Sequence, residues 1–147
     1  MSTTARERIL AMLRQARLHD LRTDGWLGGY RPTQAVANEV GIAVHHAREL
    51  LEGLEADGLV TGFEGDGGIE WRIRELLSPK EFGLAREILG QKAIGRPYNY
   101  SEFGRLLRFG PSRPDHSVRR HELDGVPLSP QVSMVVEMLL AGAPAPV

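Results

Sequence analysis

The chain has 147 residues, 41% hydrophobic and 25% charged, with a formal net charge of −1 and no cysteine. This is the composition of an ordinary globular chain, and the lack of cysteine excludes disulfides, thiolate metal sites and a cysteine nucleophile. No apolar run approaches the roughly 20 residues of a membrane span, and the opening stretch MSTTARERILAML lacks the apolar core of a signal peptide, so no membrane association and a cytoplasmic location are expected. The length suits one or two small domains.

Charge is distributed unevenly. Residues 1–76 hold 9 Arg against 12 Asp and Glu, whereas residues 77–147 hold 9 Lys and Arg against 7 Asp and Glu. Between Ser101 and His121 there are 5 Arg against only Glu102 and Asp115. A basic surface is therefore expected in the C-terminal half.

The first predicted element is a helix over Thr4–Arg17. Thr4-Ala5-Arg6-Glu7 reads as a capping box, and Ala5, Ile9, Met12, Leu13 and Ala16 follow at helical spacing. Asp20–Arg31, with Gly25, Gly28 and Gly29, reads as a loop holding at most a short strand near Tyr30. Pro32-Thr33 opens a second helix and Gly41 ends it. A third helix runs from about Ala43 to Asp57, burying Ala47, Leu50, Leu51 and Leu54, and Gly58 stops it. Leu59–Glu64 is a strand, Gly65-Asp66-Gly67-Gly68 a turn, and Ile69–Arg74 a second strand. Its alternation places Trp71 in the core with Ile69 and Ile73.

The second half is predicted to be helical. Ser78-Pro79-Lys80-Glu81 is a capping box with proline at the first helical position, ahead of a stripe of Phe82, Ala85, Ile88 and Leu89. Gln91–Tyr100 reads as a loop. Ser101 opens a short helix with Phe103, Leu106 and Leu107 inside, and Gly110-Pro111 breaks it. Ser112–Asp115 caps a further helix to about Leu123, ended by Gly125 and Pro127. Ser129-Pro130 starts a last helix with Val132, Val135, Val136, Leu139 and Leu140 on its inner side. Met134 and Met138 fall on another side, where a second subunit could meet them.

Residues 32–60, PTQAVANEVGIAVHHARELLEGLEADGLV, resemble the helix-turn-helix of bacterial winged-helix regulators. Ala37 stands at the helix crossing, Gly41 in the turn, Ile42 as its plug, and a hairpin follows where such regulators carry a wing. With the first helix the resemblance covers about residues 4–75. In the second half, LSPKEFGLAREILG, YSEFGRLLRFG and HSVRRHELDGVPLSPQVSMVVEMLLA resemble the Cro/repressor-type (XRE-like) helix-turn-helix of bacterial and phage regulators. There Gly104 takes the small crossing position and Ser117-Val118-Arg119-Arg120 the core of the recognition helix. Gln91–Tyr100 and a long turn at 108–114 depart from that pattern, and His121 replaces its common tryptophan. The expected fold is mainly α with a small β-hairpin wing: a winged helix-turn-helix domain over 1–76, a helical helix-turn-helix domain over 77–142, and a disordered tail over 143–147.

These resemblances imply double-stranded DNA as the partner and a homodimer as the working form. With Val118 inward, Asp115, His116, Arg119 and Arg120 lie outward, and arginine can pair bidentately with a guanine edge. Ser117 belongs to the same helix, while Arg105, Arg108 and Arg113 stand at the ends of the flanking elements, where phosphate contacts position a motif. The third helix offers His45, His46 and Arg48. Its later Glu49, Glu52 and Glu55, and the wing's Glu64, Asp66 and Glu70, would repel phosphate, so a protein partner for the N-terminal winged helix is the alternative. Neither His45 with His46 nor His116 with His121 is spaced to chelate one metal, and no HExxH, GxxxxGK[ST], GxSxG or GxGxxG occurs. No cofactor and no enzymatic activity are expected.

Overall fold

A computed structural model describes residues 3–23, 28–110 and 112–142. Among them are seven helices and a three-stranded antiparallel sheet, so the protein is mainly α with a small β component. No helix among the described residues is long and apolar enough to cross a membrane. The chain divides into two compact units, Met1–Glu75 and Leu76–Val147.

In the first unit, α1 (Ala5–Arg22) begins where the Thr4 hydroxyl accepts the Glu7 amide at 3.1 Å, the Thr4 half of the expected box. It runs past Arg17, where it was expected to end, because Arg17 and Asp20 on its inward side are buried and satisfied. Arg17 donates to the Glu75 carbonyl (2.7 Å). Asp20 accepts the Gly29 amide (2.8 Å) and both terminal nitrogens of Arg31 (2.9 and 3.1 Å). Buried charges persist only when paired in this way. The expected loop thus starts after Arg22; Gly25 lies outside the described residues.

β1 (Arg31–Pro32) leads into α2 (Thr33–Val40), which ends at Gly41 with φ +79°. α3 (Val44–Ala56) follows, then β2 (Val60–Gly65) and β3 (Gly68–Ile73). β3 is central, with β1, a two-residue strand just after Tyr30 where a short strand was allowed, on one side and β2 on the other. The register pairs Gly62 with Trp71 and Phe63 with Glu70, so Phe63 and Glu70 share the face opposite to Trp71. Trp71 packs with Ile9, Leu13, Val36, Leu51, Leu54 and Ile73, and its indole N–H donates to Thr33 Oγ1 at 2.9 Å. Burying roughly 150–250 Å² of indole at about 25 cal/mol/Å² contributes about 4–6 kcal/mol. Leu50, expected inside, is half-buried. At the sheet edge, the Glu55 carboxylate accepts the Gly62 amide (2.7 Å).

The second unit contains α4 (Pro79–Ile94), α5 (Tyr100–Leu106), α6 (Pro114–Glu122) and α7 (Pro130–Leu140). Both bonds of the Ser78/Glu81 capping box form. α4 continues through Gln91–Ile94, which was expected to be loop. Gly90, the last residue before that expected loop, lies inside the helix: a Cβ there would sit 2.1 Å from the Tyr98 nitrogen and 2.6 Å from the Arg96 oxygen. The returning chain rests on that helix face, so Gly90 permits a close approach and Gly95, with φ +73°, is the true stop. α5 starts at Tyr100 rather than Ser101, behind a second capping box in which Asn99 and Glu102 exchange bonds of 2.8 and 2.9 Å. It ends at Leu106, before Gly110, and Arg108 takes φ +60° just beyond it; Pro111 lies outside the described residues. α6 is flanked by Arg113, so Asp115 is its second residue and no side chain caps it.

The core of this unit joins Phe82, Ala85, Phe103, Val118, Leu128 and Val136. Phe82 and Phe103 lie 5.2 Å apart, and His121 packs on Phe82 and Phe109 at 5.8 Å each. His121 Nδ1 is also 2.8 Å from the Val126 carbonyl, so the ring is both packed and hydrogen-bonded. α7 turns Val136, Leu139 and Leu140 inward, with Val132 and Val135 half-buried, and leaves Met134 and Met138 exposed at 56% and 52%. The expected disordered tail, 143–147, lies outside the described residues.

Candidate nucleic-acid interface

α6 is held against its unit by three features. Val118 is buried on its inner side. Pro114, at its start, meets α5 at Gly104, where a Cβ would lie 2.2 Å from the Pro114 oxygen. Only a residue without a side chain lets the two backbones approach so closely. At the other end Glu122 accepts two bonds from Arg86 of α4 (2.8 and 2.9 Å), and Arg86 also donates to the Tyr98 carbonyl (2.6 Å). The Glu122 bond raises the Arg86 pKa above its ordinary value despite opposing burial.

With that inner side fixed, Arg113, His116, Arg119 and Arg120 are exposed, while Asp115 and Ser117 are half-buried. Asp115 near the helix start and Arg119 and Arg120 near its end also suit the helix dipole. The Arg119 guanidinium lies 5.2 Å from the centre of the Tyr100 ring and 3.8 Å from Asp115. Arg105 and Arg108 are exposed at and beyond the end of α5. Six of the expected contact residues, five arginines and His116, are therefore exposed along one stretch from the end of α5 through α6, and Ser117 is partly withdrawn. Arg86 and Tyr100 escaped sequence reasoning. Their partners are 36 and 19 positions away, so no local pattern marks them.

Comparison with protein-family models, curated proteins and solved structures found no match to the chain.

The first unit is electrostatically different. His45, His46 and Arg48 are exposed on α3, but Arg48 is paired with Glu52 at 3.0 Å. Glu49 and Glu52 are exposed beside them, as are Glu64 and Asp66 on the hairpin. An open cleft of about 510 Å³ between α1 and α2 is lined by Arg8, Met12, Gln15, His19, Arg31 and Glu39, among others. Its arginines are already engaged: Arg8 donates to the Val40 carbonyl (2.8 Å) and Arg31 to Asp20.

Proposed function

We propose that the protein is a sequence-specific DNA-binding transcriptional regulator. In this reading the first unit has the winged helix-turn-helix layout, and the second is a Cro/repressor-type helix-turn-helix whose α6 enters the major groove. The observation that carries the reading is the two-sidedness of α6. Val118 is fully buried, and the opposite side presents Arg119 and Arg120 with His116 and Arg113 beside them. Arginines so placed can read guanine edges, with Arg105 and Arg108 as phosphate contacts. A homodimer places two such helices on half-sites one helical turn apart. Met134 and Met138, exposed on α7, are the apolar residues through which the copies would meet.

Selection of the full chain on a randomised duplex pool, then titration against the selected and a scrambled duplex at several salt concentrations, tests this. Arg119→Ala should cost about 1–3 kcal/mol on the selected duplex. Arg105→Ala should weaken both duplexes alike and flatten the salt slope. A chain that enriches no duplex, and whose weak binding ignores both substitutions, would overturn the reading.

For the first unit a protein partner is a second reading, favoured by one observation. Phe63 is 58% exposed on the outer sheet face, directly opposite Glu70 and with its ring centre 6.2 Å from that of Tyr30. An exposed aromatic ring, paired with a second ring and beside a carboxylate, suits a protein surface better than phosphate. Phe63→Ser should leave DNA titrations unchanged in that case, and a loss of DNA affinity would assign the hairpin to DNA instead.

A further inference from the structure

Arg119 and Arg120 are adjacent and both exposed, but they are not equivalent. Arg119 lies over the Tyr100 ring and near Asp115, one turn earlier on α6. The guanidinium of Arg120 makes no hydrogen bond, ion pair or ring contact that is resolved among the described residues.

Tyr100 is itself fixed. It is the first residue of α5, behind the reciprocal Asn99/Glu102 cap. A second guanidinium, that of Arg86, lies 4.8 Å from the same ring centre. Arg86 cannot drift, because Glu122 and the Tyr98 carbonyl hold it. The ring is thus a prepared platform joining α4, α5 and α6.

A free arginine side chain carries about 2 kcal/mol of rotamer entropy, and a pre-ordered fork loses less of it on forming bonds. A bidentate guanine contact needs the guanidinium plane held in one orientation; a phosphate contact needs little more than the charge. The Asp115 contact is too long for a hydrogen bond and sits at the surface, where such pairs hold weakly. The aromatic ring is therefore the stronger restraint.

We propose that Tyr100 is a positioning residue for base reading: its ring orients Arg119 toward a guanine edge, while the unrestrained Arg120 serves the phosphate backbone. The proposal rests on the DNA-binding reading above. It divides specificity from affinity between two neighbouring residues, and it brings an α5 residue into the specificity of α6.

The test uses the full chain, the duplex it selects from a randomised pool, and a scrambled duplex of equal length. Tyr100→Leu should lower the ratio of selected to scrambled affinity roughly two- to fivefold, the worth of an exposed cation–π contact. Affinity for the scrambled duplex should not change, since no charge is removed. Tyr100→Phe keeps the ring and should restore the wild-type ratio. In an Arg119→Ala background Tyr100→Leu should have no further effect, whereas beside Arg120→Ala it should keep its full effect. Should Tyr100→Leu fail to fold, relaxation of the arginine Nε–H groups in the wild type decides instead: Arg119 ordered and Arg120 mobile supports the proposal, and equal mobility overturns it. A wild type that prefers no duplex refutes the DNA reading and the proposal together. A wild type that selects a duplex and loses preference with Arg119→Ala but not with Tyr100→Leu refutes the proposal alone.

Discussion

Two glycines inside helices should respond to the same substitution with opposite signs. Replacing a mid-helix glycine by alanine stabilises by about 0.5–1 kcal/mol when the new methyl group has room. Gly53, in α3, has no atom within 4 Å of the Cβ position, so Gly53→Ala should stabilise the first unit by about that amount. At Gly104 the Cβ would lie 2.2 Å from the Pro114 oxygen and 2.6 Å from its carbonyl carbon, where real contacts do not fall below 3.0 Å. These are backbone atoms, so no rotamer change clears them and the start of α6 must retreat. Overpacking of this kind costs about 1–3 kcal/mol, which leaves Gly104→Ala destabilising by up to about 2.5 kcal/mol after the helix-propensity gain. Denaturant titration followed by far-UV circular dichroism and by tryptophan fluorescence measures both variants. Trp26 and Trp71 are the chain's two tryptophans, so fluorescence reports on the first unit while dichroism reports on both. A Gly104→Ala variant as stable as Gly53→Ala would refute the close contact between α5 and α6.

Trp71→Ala should cost about 3–5 kcal/mol, as buried aromatic truncations do, and a near-normal melting temperature would contradict its place in the core. The Glu102 carboxyl is held at about 2, below its ordinary 4.5, by the Arg96 guanidinium first and the Asn99 amide second. A lowered folded value means that its support of α5 is complete above the unfolded carboxyl pKa and is lost as pH falls through about 2. A carboxyl titration followed by NMR should show this, and Arg96→Ala should move Glu102 back toward its ordinary range; an unmoved value would mean that the ion pair does not form in solution. Met134→Lys should yield a folded monomer in sedimentation if α7 joins two copies, and a wild type already monomeric at micromolar concentration counts against the dimer.

Much of the first unit was legible because its punctuation is local. Gly41 and Gly58, with the alternation around Trp71, bound α2, α3 and the hairpin within a residue or two. α1 was read short for a physical reason. Its inward positions continue past Ala16 as Arg17, Asp20 and Leu21, and a hydrophobic pattern breaks where the core accepts paired charges. The short β1 depends on pairing with β3, which lies far along the chain. In the second unit the end of α4 fell before Gln91 in the sequence reading because the glycine ahead of it, Gly90, does not say whether it frees a turn or admits a neighbouring backbone. The spacing of Asn99 and Glu102 was a readable cap and was passed over. For the candidate interface, the outward placement of Arg119 and Arg120 followed from Val118 alone. The difference between the two arginines did not, because it comes from a ring on another helix.

The bond from the Gly62 amide to Glu55 has a consequence for the protein in concentrated solution. β2 forms an open margin of the sheet, and such margins can recruit a strand from another molecule, leading to swapped dimers or fibrils. This margin carries an exposed phenylalanine next to Gly62. A carboxylate from the chain's own α3 already occupies the Gly62 amide, and an incoming strand would have to displace it and bring its own backbone up to a negative charge. The acidity of this region thereby guards against polymerisation.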